Sequence, residues 1–349
     1  MKIQEVARRA RVSTATVSRT INNPSIVDPK TAKRVWKAIE DLRYYPNTQA
    51  RSLVSGRSRI LGLIVSDITN PFFPEVIKGF EEVAVQNGYE ILVSSTNYDS
   101  ARMALCVRRM LERKVEGVAI MTSEIDSHLI DQLAHRNVPM VFLDVGTPGE
   151  GISNIKVNYA MGINEAMEHL LSLGHRRIGF VSGPLTLKSA RVRRTAFLRS
   201  LRGHGLDKDQ RLFEQGDHTV EGGLAAMTRI LASKCAPTAV LASNDLTAIG
   251  VMRALRHAGL AVPRDVSVVG FDDIRLAQFI EPPLTTVRIS RRELAENALH
   301  ALLPEVDGAP DPRRKPEYVV DTHLVIRETT CPVRRPARHS QDMPPPPSL

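Results

Sequence analysis

Residues 6–21 read V-A-R-R-A-R-V-S-T-A-T-V-S-R-T-I, and this stretch decides how the chain begins to fold. Ile3, Val6, Ala7 and Ala10 fall on one helical face, and the pattern restarts after Ser13 with Thr16, Val17 and Ile21. Ser13 stands where its hydroxyl can accept from a free amide of the second helix. Two helices joined by three or four residues make a helix-turn-helix. A third pattern opens at Asp28-Pro29, a capping residue followed by proline at the first helical position, and continues through Val35, Ala38, Ile39 and Leu42. With Trp36 on or near it, that helix closes a three-helix core.

The same segment carries the charge. Residues 1–60 hold thirteen Lys and Arg against four acids, a net +9 that equals the charge of the whole 349-residue chain. Residues 61–349 therefore sum to zero. A cationic module on a neutral body is suited to a polyanion, whose counterions it displaces. In a helix-turn-helix the second helix enters the major groove, with Thr14, Ala15 and, one turn later, Arg19 facing out. Arginine's fork matches the two acceptors of guanine, which makes Arg19 the leading base reader. After Pro46, residues Asn47 to Leu53 have too little apolar area to hold a helix unaided.

The rest of the composition bounds the protein further. The length calls for two or three globular units and the 42% hydrophobic content is enough for real cores. An apolar leader and a run of about 18 apolar residues are both missing, so a cytoplasmic protein is expected. Cys106, Cys235 and Cys331 are scattered, without the spacing of a zinc site, and no metal or other cofactor is expected.

From residue 60 to 330, apolar runs alternate with helical stretches of 10–15 residues: Ile60 to Val65, Glu90 to Ser94, Gly117 to Met121, Met140 to Leu143, Arg177 to Val181, Ala239 to Ala242 and Ser267 to Phe271. Such alternation reads as α/β, with parallel sheets covered by helices. A break near Asn158 divides the runs into two similar doubly wound lobes. Ligands of such folds bind beyond the carboxyl ends of strands. The residues there are Ser66, Asp67, Asn70, Phe72 and Phe73, then Asp144, then Asn244 and Asp245, then Asp272, with Arg193 on a helix starting near Ser189. Carboxylates and a guanidinium can each take two hydroxyls, as a sugar would offer.

V-S-x-x-T-V-S-R followed by Y-x-P-N-x-x-A-R-S-L closely resembles the DNA-binding segment of the lactose-repressor/galactose-repressor family. The resemblance continues through I-L-G-L-I-V-S-D-I-T-N-P-F-F at 60–73, G-H-R-R-I-G-F-V-S-G-P at 174–184, S-N-D-L-T-A-I-G at 243–250, D-V-S-V-V-G-F-D-D at 265–273, P-P-L-T-T-V at 282–287 and H-L-V-I-R-E-T-T at 323–330. It implies a helix-turn-helix headpiece over 1–46, a hinge helix and linker over 47–59, and a body resembling periplasmic binding proteins. The N-terminal lobe would span 60–158 plus about 289–320, the C-terminal lobe 159–288 plus about 321–330, and a Pro-rich disordered tail 331–349. DNA would be contacted by Ser13, Thr14, Ala15, Thr16, Ser18, Arg19 and Asn22, and by Asn47, Ala50 and Leu53 of the hinge, Leu53 as a minor-groove wedge. Asp144, Arg193, Asn244 and Asp272 would hydrogen-bond a small effector, with Asn70 beside them and Phe72, Phe73 and His218 as walls.

The pattern is broken at Arg11, where the family commonly has Gly or Asn, and at Arg43, where Gly, Asn or His usually follows the third helix. A left-handed backbone there would be strained. Ile289 stands where sugar binders often have a polar residue, and Arg291 nearby points to an acidic effector such as a sugar acid. A solute receptor or an enzyme could share this fold, but G-x-G-x-x-G after the first strand, G-x-x-x-x-G-K-[ST], G-x-S-x-G and H-E-x-x-H are all missing. The expectation is a non-enzymatic, ligand-responsive transcriptional regulator, most simply a repressor. It would bind a palindromic double-stranded operator as a homodimer at the bacterial nucleoid, without a membrane.

Overall fold

The computed structural model describes residues 2–45, 57–122, 125–144, 149, 151–206, 209–233, 235–303 and 316–333. The chain divides into two units, Met1–Arg59 and Ile60–Leu349. Asn47, Ala50 and Leu53, the expected hinge contacts, lie outside the described residues, as does the chain after 333.

The first unit contains helices α1 (Ile3–Ala10), α2 (Thr14–Asn22) and α3 (Pro29–Asp41). Val6, Ala7, Ala10, Val17, Val35 and Ala38 form its core. Ser13 Oγ accepts from Thr16 N at 3.1 Å and Asp28 from Thr31 N at 2.9 Å, so both helix starts are capped as read. Thr20, which the apolar pattern passed over, is also buried, its hydroxyl donating to the Thr16 carbonyl. Trp36 lies on α3 but is 46% exposed and outside that core.

Helices α1 and α3 end with Arg11 and Arg43 in the left-handed region, at φ 53° and 47°. Around Arg11 the N–H of Val12 bonds to the Ala7 carbonyl and that of Arg11 to Arg8, the double closure that usually has glycine at its centre. Arginine pays a steric penalty there, on the order of 1 kcal/mol. Arg11→Gly and Arg43→Gly are each expected to stabilise the headpiece by about 1 kcal/mol. Trp36 is the chain's single tryptophan, so its fluorescence during denaturation reports this unit; a loss of stability would contradict the strain.

Among the described residues the second unit has eleven strands in the order β2-β1-β3-β4-β5-β11-β10-β9-β8-β6-β7. In the first half are β1 (Ile60–Val65), β2 (Glu90–Ser95), β3 (Val118–Met121), β4 (Met140–Leu143) and β5 (Ile152–Asn158). In the second are β6 (Ile178–Ser182), β7 (Phe213–Gln215), β8 (Ala239–Ala242), β9 (Ser267–Asp272) and β10 (Thr285–Ile289). Ranked within its own half, each set runs 2-1-3-4-5 and is parallel throughout. Each half thus has a switch point between its first and third strands, where the chain opens a crevice.

Strand β11 (Glu317–Val325) joins the halves. Glu317–Asp321 pairs parallel with β5, and Thr322–Val325 pairs antiparallel with β10. At the changeover, buried Thr322 Oγ1 accepts from Gly162 N at 3.0 Å and donates to the Asn158 carbonyl at 2.8 Å. A Cβ on Gly162 would meet Val287 Cγ1 at 2.3 Å, so only glycine lets its helix approach. The apolar runs did not reveal β5, β7, β10 or β11. Cys331 to Val333, expected to begin a disordered tail, belong to the body instead. The Cys331 carbonyl bonds to His175 Nε2 at 2.9 Å, and Val333 N donates to the Leu173 carbonyl.

Candidate functional site

In the headpiece, Thr14, Ala15, Arg19 and Asn22 are exposed on α2. The Arg19 side chain makes no hydrogen bond or ion pair among the described residues, and its guanidinium is free for an outside acceptor. Ser13 and Thr16 are engaged with each other at the helix start, 2.9 Å between hydroxyls, and Ser18 accepts from the Asn22 amide at 3.2 Å. The side chains left without a partner on this exposed face are therefore Thr14, Ala15 and Arg19, and the engaged hydroxyls order the helix.

In the body, the loops at both switch points converge on a cleft of about 780 Å³, partly open to solvent. Asn70, Phe72, Phe73, Asp144, Arg193, His218, Asn244 and Asp272 all line it, so the eight positions singled out in the sequence come together. The first half contributes the loop after β1 and the end of β4. The second contributes the loops after β6, β7, β8 and β9.

The cleft's centre is a buried ion pair. Arg193 Nη2 donates to Asp272 Oδ1 at 3.1 Å and Nη1 to the Ser243 carbonyl, with the guanidinium 4.2 Å from the Phe271 ring centre and 4.9 Å from that of Tyr159. Burial raises the pKa of Asp272, opposed by the Arg193 charge. Asp144 is also raised, first by burial, and the charge that most opposes this is that of Lys188. Asp144 Oδ2 and Arg193 Nε are buried without any partner. Such orphaned groups cost free energy unless a ligand reaches them.

Three of the site residues have left-handed backbone: Asp144 at φ 61°, His218 at 69° and Asp272 at 109°. Strain of this kind costs on the order of 1–3 kcal/mol per residue and collects at binding sites. His218 is held by Ser243, Nε2 to Oγ 3.0 Å, and packs so close to Gly183 that a Cβ there would fall 1.9 Å from Nε2. Burial, then the Arg193 charge, lowers its pKa to about 3. It is a neutral ring, as a wall should be.

Other assignments change. Asn244 caps its own helix by accepting from Thr247 N at 2.9 Å while its amide donates to the His218 carbonyl at 3.1 Å. Asn70 likewise accepts from Phe72 N. Both shape the walls as much as they face the cleft. Asp245 points away, accepting from Thr286 Oγ1 and Ile274 N. Arg291 is not the cleft's cation. Its Nη2 pairs with Glu75 at 3.0 Å and donates to the Asp273 carbonyl at 2.6 Å. Lys188 is exposed and lines the cleft in its place, with Ser189, Tyr98, Thr122 and Tyr159. Tyr159 opens the helix after β5, a strand the apolar pattern concealed. Among the described residues no cluster of His, Cys, Asp or Glu could hold a metal, and no helix is long and apolar enough to cross a membrane.

Residues 2–47 match the family model described as bacterial regulatory proteins of the lacI family, and residues 167–330 match the periplasmic binding protein-like domain. An HTH-type transcriptional repressor, PurR of Photobacterium profundum, is 35% identical over 328 residues, covering 94% of this chain and 98% of its own. The Lac repressor dimer bound to operator and the anti-inducer ONPF superimposes with a TM-score of 0.82 at 30% identity, covering 95% of this chain and 99% of its own. A LacI-family regulator from Enterococcus faecium with bound ribose gives 0.69 at 28% identity, covering 79% and 100%.

An unfolded histidine takes up its proton near pH 6.5, whereas folded His218 resists protonation down to about 3. Between those values acidification favours the unfolded chain, and the stability this residue contributes above pH 6.5 is lost as pH falls. The His218 ring resonances are expected to show no titration between about pH 5 and 8. A midpoint near 6.5 would place the ring in water.

Proposed function

The chain belongs to the LacI family of bacterial regulatory proteins, and from that membership we propose a ligand-responsive repressor that binds a palindromic operator as a homodimer and holds a small sugar-like effector in its cleft. It works in the cytoplasm, without catalysis. One observation supports this most: the exposed, unpaired Arg19 of a capped recognition helix is joined in one chain to a cleft with orphaned Asp144 and Arg193 atoms. In this reading 1–46 is the headpiece, 47–59 the hinge with Asn47, Ala50 and Leu53 on DNA, and 60–333 the effector-binding body.

The effector acts through differential affinity for two arrangements of the halves. Glu75, one turn into the helix that carries Phe72 and Phe73, accepts from Arg275 N of the second half at 2.7 Å. Arg291, paired with that same Glu75, donates to the Asp273 carbonyl. Asp273 is in turn clamped by Arg288 and Arg327, each at 2.6 Å. Opening the cleft breaks the Glu75–Arg275 and Arg291–Asp273 bonds that join the halves; an effector touching Asp272 and Phe72 strengthens the closed form. The spacing of the two hinges in the dimer follows.

Arg19→Ala is expected to weaken operator binding by about 1–3 kcal/mol and relax the preference at one symmetric base pair. Fluorescence anisotropy with base-substituted duplexes checks this, and uniform weakening on every sequence would reduce Arg19 to a phosphate contact. Asp144→Asn removes a desolvated carboxylate, so the free protein should melt no lower. Effector affinity should fall by roughly tenfold, as for loss of a charge-assisted hydrogen bond. Unchanged affinity by calorimetry would remove Asp144 from the site.

A further inference from the structure

We propose that the effector is a polyhydroxylated anion, its carboxylate or phosphate seated against Lys188 and Ser189 at the start of the helix Lys188–Gly203 and its hydroxyls reaching toward Asp144. This rests on the cleft being the effector site and names the chemistry of its occupant.

The helix runs for 16 residues, begins at Leu187 without a side-chain cap and has no acid in its first turn. Its opening amides and the positive end of its dipole therefore have no anionic partner from the chain, and both favour an anion. Lys188, Ser189 and Leu187 line the cleft. Lys188 is exposed and forms no ion pair among the described residues. Asp144 lines the same cleft, and no ion pair joins the two. Arg191, the next cation on the helix, is turned back to the Leu185 and Thr186 carbonyls at 2.8 and 2.7 Å. It stiffens the loop that presents the amides and does not compete for the anion.

A second, independent observation points to a ligand in the same space. Asp144 Oδ2 and Arg193 Nε are orphaned on side chains more than nine-tenths buried. Asp144 calls for a donor, which a hydroxyl supplies, and Arg193 for an acceptor. Asp272 is neutralised by Arg193, and Arg291 is paired with Glu75. Lys188 and Asp144 are left as the cleft's charges without an ion-pair partner among the described residues, the lysine suited to an anionic group and the carboxylate to hydroxyl donors.

The test uses the full chain and matched compounds: glucose, glucuronate and glucose 6-phosphate; ribose, ribonate and ribose 5-phosphate; and inorganic phosphate alone. Thermal shift and calorimetry are expected to show a charged member binding at least roughly tenfold more tightly than its neutral counterpart, the acid and phosphate arms telling which anion is preferred. Lys188→Gln should erase that difference while leaving the melting temperature of the free protein unchanged. Neutral sugars binding as tightly as their anions, or a preference that survives Lys188→Gln, overturns the inference and leaves the effector reading intact. Stabilisation by no compound of either kind overturns the effector reading together with it.

Discussion

Arg193 and Asp272 face each other at 3.1 Å, almost fully shielded from water, with the guanidinium against the rings of Phe271 and Tyr159. Taking two charges out of water is expensive, and their attraction repays this only when further hydrogen bonds complete the arrangement. Here the Ser243 carbonyl and the two aromatic faces do part of that work, and one guanidinium nitrogen is left unmet. A hydrophobic core would be more stable. In the proposed reading the pair presents to the cleft a fixed polar floor that a hydroxylated ligand can bind without first reorganising it.

That floor needs a frame that can deliver residues from both halves of the body to one place. The repeated 2-1-3-4-5 order puts a switch point in each half, and β11, hydrogen-bonded first to β5 and then to β10, holds the two sheets side by side. The tight Gly162–Thr322 contact lies at its changeover. Glu75 and Arg291 then tie the halves across the cleft from directly behind Phe72. The strained backbone at Asp144, His218 and Asp272 is what such a meeting of loops imposes, and the rigid strands before each residue sustain it. The headpiece carries its own small core, its own charge and its own strained caps.

Much of this was legible in the residues because the signals were local. Ser13 and Asp28-Pro29 mark helix starts by hydrogen bonds to their own first turns, and short apolar runs mark buried parallel strands. Residues just after those runs converge because parallel topology leaves them no other place. Legibility failed where partners are distant. Strand β11 alternates buried and exposed positions, and its two neighbours are 160 and some 40 residues away, so nothing local marks it as the joint. Arg291 looked like a ligand cation from its position near Ile289, and only the fold shows Glu75 beside it. Lys188 went unread because it begins a helix six residues past its strand, beyond the positions that topology draws attention to.

The central claim is that occupancy of the cleft and affinity for DNA are coupled in one chain. Duplexes selected from a random pool with the full-length protein should share a two-fold symmetric sequence. Their dissociation constant should be measured with and without a compound that raises the protein's melting temperature. Coupling requires that constant to change, in either direction, by about fivefold or more, with the reciprocal change in the compound's affinity when the duplex is added. A compound that binds the cleft and leaves DNA affinity unaltered would contradict the claim.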